Sequence, residues 1–165
     1  MKKQFLKAIA FFSIITLVAS CGKDSTGATY NQQISLKANG VLYSVTTGGT
    51  DVQESDAHIR DSNKFQLDAT TSTKDFSINH KTVPGTGTYT LNSSSSVFDF
   101  AQWEDGSALY TSSTSKSHFT FTISNIAGNS SDYVRYIEGT FSGVLYNLTQ
   151  TDSVIITNGQ ITILD

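Results

Sequence analysis

The ten residues SHFTFTISNI, Ser117 to Ile126, decide the fold class. Phe119, Phe121 and Ile123 alternate with Thr120, Thr122 and Ser124, a period of two that places apolar side chains on one face and hydroxyls on the other. On a helix these residues would scatter around the axis; on a strand they give one dry face and one wet face.

Working outward, the same signal recurs about every eight to twelve residues, and no 3.6-residue period outlasts a turn or two. QISLKANGVLYSV, Gln33 to Val45, alternates Ile34, Leu36 and Ala38 and then turns at Asn39-Gly40, the pair best suited to the positive φ angles of a two-residue hairpin. TDVQESDAHIR predicts a weaker, polar strand at an edge. Phe65, Leu67 and Ala69, then Phe76, Ile78 and His80, alternate on either side of Thr71-Ser72-Thr73-Lys74, as in a meander. VPGTGTYTL, Val83 to Leu91, joins the single proline to two glycines and a short strand. VFDFAQW, EDG and SALYTS predict strand, turn and strand, with Phe98 and Phe100 on one face and Asp99 on the other. In YVRYIEGTFSGVLYN, Gly139 and Gly143 predict bulges or a bend at a sheet corner. At the end, Asn158-Gly159 fits either a tight hairpin or a kink in one continuous strand. About ten strands with polar outer faces must hide one apolar face and two edges, so the expectation is an all-β antiparallel sandwich, with a closed or partly open β-barrel as the alternative.

The first twenty residues stand outside this pattern. Lys2, Lys3 and Lys7 precede an apolar run from Ala8 to Val18, which has the length of a signal-peptide core and is too short to span a bilayer. Val18-Ala19-Ser20-Cys21 has the form of a lipobox, in which a branched apolar residue and two small ones precede a cysteine that is acylated on sulfur. The expected organisation is a signal peptide over 1–20, a lipidated Cys21 with a polar Gly- and hydroxyl-rich tether over 21–31, and a single all-β domain over 32–165. The anchor would hold the domain on the bacterial outer membrane, on its periplasmic or its cell-surface side.

Without the signal, eight basic residues face fourteen acidic ones, a net charge near −6, which argues against nucleic acid and against adhesion to anionic lipid by charge alone. Cys21 is the only cysteine, so once it is acylated neither a disulfide nor a thiolate metal site is open to the chain. Serine and threonine make up about a quarter of the sequence, while ten Phe and seven Tyr supply a core and oppose disorder.

GTGTYTL, IEGTFSGVLY and the terminal SVIITNGQI, following an early NG hairpin, resemble a family of small uncharacterised β-rich Bacteroidota lipoproteins. Their order carries the resemblance, and Ile161 departs from the aromatic usual near the end. It implies a β-rich lipoprotein fold, no known activity and no catalytic residues. In such lipoproteins an acidic, charged stretch after the cysteine promotes surface display, and Lys23-Asp24 is a thin version of it.

Trp103-Glu104-Asp105-Gly106 is the candidate ligand-binding cluster: an exposed Trp beside carboxylates could stack on a sugar ring and hydrogen-bond its hydroxyls, with Tyr110 extending the surface. The competing reading is ordinary turn chemistry with the Trp in the core. Glycoside hydrolysis would need two facing carboxylates about 5 to 9.5 Å apart. Glu104 and Glu138 are the candidates, with Glu54 the third glutamate of the mature chain. His58, His80 and His118 fall on three strands without metal-ligand spacing, and Asp51, Glu54 and Asp56 lack the spacing of a calcium loop. No metal, cofactor or catalytic residue is assigned, since GxSxG, HExxH, a phosphate loop and CxxC are all missing. Asp24-Ser25-Thr26 and Asp152-Ser153-Val154 match a loose O-glycosylation pattern of exported Bacteroidota proteins.

The expected function is therefore a lipid-anchored envelope module that binds a glycan, a small apolar ligand or another envelope protein. The competing readings are an envelope hydrolase acting on glycans and a structural accessory of an outer-membrane complex.

Overall fold

The computed structural model describes residues 31–46, 54–60, 63–127 and 136–164. They form eleven strands: β1 (Asn31–Ala38), β2 (Val41–Thr46), β3 (Glu54–Arg60), β4 (Lys64–Thr70), β5 (Lys74–His80), β6 (Gly87–Leu91), β7 (Phe100–Asp105), β8 (Ala108–Thr111), β9 (His118–Ala127), β10 (Tyr136–Asn147) and β11 (Ser153–Leu164). All pairings are antiparallel, and no helix occurs among the described residues.

One path runs β2-β1-β11-β10-β8-β7-β5-β4-β3, and β9 with β6 branches from β10. The branch exists because one edge of β10 is shared: Tyr136 to Val144 pair with β9, whereas Tyr146 and Asn147 pair with β8. The sheet then curls until β3 approaches β1. At that seam the buried Gln32 amide closes the gap, its Nε2 donating to Ala57 O at 3.2 Å and its Oε1 accepting from Ala57 N at 3.0 Å. A side chain thus stands in for a strand partner, and of the two closures the sequence allows, the nearly closed barrel is the one adopted.

The expected devices do this bending. Asn39 and Gly40 both take positive φ (49° and 83°), and the β1–β2 hairpin closes on two residues as predicted. Asn158-Gly159 is not a hairpin; it kinks a continuous β11, where Asn158 at φ 51° is an extra residue against both β1 and β10. Gly159 has no room for a side chain because the Phe141 ring lies where a Cβ would sit. Gly139 likewise lies against the backbone of Thr122, beside a bulge in β9.

The core fills the curl. Phe119, Phe121 and Ile123 are buried, as the alternation requires. Phe76 stacks on Phe141 at 4.9 Å and Phe65 on Phe121 at 5.0 Å, so β4 and β5 are joined by aromatic contact to β9 and β10 on the opposite wall. Among the described residues the buried apolar side chains form one continuous cluster, drawn from nearly every strand.

Candidate functional site

The Trp103 cluster is not the exposed platform the sequence allows. Along β7, Ala101 and Trp103 point inward, and Phe100, Gln102 and Glu104 point outward. Trp103 is 3 % exposed and meets the Tyr43 ring edge-on at 4.9 Å, with Phe76 beyond. Burying the indole among rings is worth more than leaving it in water, so the core reading wins. Glu104 stays outside and accepts from Gln102 Nε2 at 2.5 Å. Asp105 pairs with Lys74, whose ammonium also lies over the Tyr43 and Trp103 rings; the Asp105 carboxylate raises the pKa of that lysine. Gly106 at φ 61° opens a two-residue turn of the II′ pattern, so the Asp-Gly pair serves as hairpin chemistry. Tyr110 donates to Asp152 Oδ2 at 2.8 Å, and that bond raises its pKa.

The proposed carboxylate pair does not meet either. Glu104 lies opposite Leu109, and the adjacent Tyr110 pairs with Asn147 of β10. Glu138 is nine residues earlier on β10, on the order of 30 Å away at the rise of a strand, and its Oε2 accepts from Asn125. That separation exceeds either glycosidase geometry. Among the described residues no three His, Cys, Asp or Glu side chains converge on one point. Cys21, Asp24 and Asp51 lie outside the described residues, as do the side chains of Glu54, Asp56 and His58.

A different place has the form of a site. Where β4 begins, β5 ends and β7 begins, a cavity of about 460 Å³ opens on the outer face. Its floor follows from register: Gln66 pairs with Asn79, and Asn79 with Phe100, so two amides and a ring stand side by side. The loop between β6 and β7 supplies the wall. Asp99 N donates to Ser96 O at 2.8 Å, closing a turn whose two corner residues are Val97 and Phe98. Such corners favour polar residues, yet here the pair is 84 % and 71 % exposed. Phe98 therefore sits on a turn rather than on the strand predicted for VFDF, though it still shares the Phe100 side and lines the cavity.

Asp99 fixes that turn to the body of the barrel. It is buried, and its Oδ1 accepts from Lys81 N at 2.6 Å and lies 3.9 Å from His80 Nδ1. His80 is inward, edge-on to Tyr89 and Phe121. Burial lowers its pKa and outweighs the Asp99 charge, and Nδ1 accepts from Thr82 N at 3.2 Å. On the rim, Lys64 and Lys81 are exposed, and neither ammonium has an ion-pair partner among the described residues.

Sequence reasoning missed this site because its parts come from three separate stretches. The available signal was Val97-Phe98 in a serine-rich turn, two apolar residues where solvent-facing ones are usual. No curated protein and no solved structure matches the chain. Residues 25–164 match a family described as a domain of unknown function, DUF5025. With nearly all of the barrel inside that match, the chain belongs to the DUF5025 family.

Proposed function

We propose that this protein is a lipid-anchored envelope module that binds a small ligand at the Phe98–Phe100 pocket and performs no chemistry there. The observation that carries the reading is the pocket itself: the exposed Phe98 and half-buried Phe100 rings beside two amides, in a cleft of ligand-binding size. The anchor rests on Val18-Ala19-Ser20-Cys21 following a basic and apolar leader. Two or more acyl chains on Cys21 would hold the domain firmly, at about 0.8 kcal/mol per buried CH₂.

Thermal unfolding of residues 25–165 against glycans and amphiphiles tests the binding role. A ligand at about 100 times its Kd stabilises by about 2.7 kcal/mol, a shift of several degrees for a domain this size. The shift should vanish in Phe98→Ala while the ligand-free Tm stays put; a panel without any shift would remove the reading. For the anchor, the protein purified from its host should carry acyl mass on Cys21, and Cys21→Ser should leave it unanchored.

A further inference from the structure

We infer that the pocket takes an amphipathic anion, a carboxylate carried on an apolar acyl-type body; this rests on the pocket being a binding site at all. Two features of the lining point the same way. The wall and part of the floor are the rings of Phe98 and Phe100, which offer an apolar body somewhere to lie. Lys64 and Lys81 stand at the mouth, no carboxylate is among the described lining residues, and the nearby Asp99 is turned inward onto Lys81 N. The chain as a whole carries a net charge of −3, yet at the mouth of this cleft two ammoniums stand without an ion-pair partner among the described residues, with the nearest described carboxylates, Asp68 and Asp99, set back behind Gln66 and inside the barrel. Charge complementarity then favours an anion, and the Asn79 amide lies where a carboxylate headgroup could be hydrogen-bonded, while Gln66 beside it already donates to Asp68 Oδ2 at 2.7 Å.

Position supports the same ligand. Gln32 is bonded to Ala57, Ala57 pairs with Leu67, and β1 runs antiparallel to β3 across the seam. One step toward the start of β1 therefore leads to the row of Gln66, Asn79 and Phe100. The chain joins the barrel two strands from the pocket floor, on the order of 10 to 15 Å away. If Cys21 is acylated, the tether enters the barrel beside the pocket row, which brings the pocket within reach of a bilayer, where single-chain acids partition.

Residues 25–165 titrated with decanoate, decan-1-ol and galacturonate, followed by amide chemical shifts in β4, β5 and the Ser96–Asp99 turn, separate the cases. Decanoate should bind about tenfold more tightly than decan-1-ol at low ionic strength, the sum expected of two exposed charge contacts. The preference should shrink with salt. Lys64→Gln with Lys81→Gln should bring the affinities of the two alkyl ligands to within about twofold of each other; both side chains are exposed, so the fold is not at stake. Equal binding of acid and alcohol by the unmodified protein would overturn the anionic class and leave the pocket standing. Shifts with galacturonate alone would overturn it in favour of an acidic sugar. No shift with any of the three would remove both this inference and the binding role.

Discussion

Two ends of β7 carry an aromatic residue near carboxylates and lysine, and they do opposite things. At the far end Trp103 is inside, Asp105 holds Lys74, and Lys74 covers the rings. At the near end Phe98 and Phe100 face outward, Asp99 is turned in, and Lys64 and Lys81 are left without ion partners among the described residues. The first cluster is satisfied within the fold; the second is not. Composition makes the two look alike. What separates them is the parity of each residue along its strand and whether its charge finds a partner in the chain.

Truncating the two aromatics should widen that contrast most. Trp103→Ala removes a buried ring and should cost about 3 to 5 kcal/mol, whereas Phe98→Ala should stay within about 0.5 kcal/mol, both read by urea unfolding. Similar losses for the two would break the distinction. Because Trp103 is the only tryptophan, its emission should be blue-shifted and poorly quenched by acrylamide, with or without a pocket ligand.

Next in size is the seam. Gln32→Leu leaves the Ala57 N–H and C=O without the amide that satisfies them, at about 1 to 3 kcal/mol, and hydrogen exchange at Ala57 should quicken beyond the global change. Unchanged exchange there would mean that the amide does not close the barrel.

A smaller effect depends on pH. His80 has a folded pKa lowered by burial, so between the folded and unfolded values the unfolded chain binds more protons. Stability from this group is fully present above about pH 6.5 and is lost as pH falls through that value toward the folded pKa. His80→Gln should flatten this part of the stability profile, and a profile that keeps its slope would place the acid sensitivity elsewhere. The smallest effect belongs to Lys74→Met, within about 0.5 kcal/mol by urea unfolding, since its partner Asp105 is half exposed.

Much of the fold was legible because strand parity and turn chemistry are local. SHFTFTISNI, the Asn39-Gly40 hairpin and the bulges near Gly139 and Gly143 needed no knowledge of the rest of the chain. Closure was not local: the choice between sandwich and barrel turns on Gln32 reaching a residue 25 positions away. Trp103 was half legible, for it shares parity with Ala101 and could have been placed inside on that ground. The pocket was least legible, because Gln66, Asn79 and Phe100 become neighbours only through the pairing of three strands.

The first strand has a mechanical consequence. β1 is bonded to β11 on one edge and to β2 on the other, and Gln32 adds a third attachment near its start. Ladder bonds lie across the strand direction. A pull arriving through the residues before Asn31 would load many of them at once, in shear, instead of opening them one by one. If Cys21 is the anchor proposed above, tension along the tether would fall on the whole of β1 together rather than on its first bond.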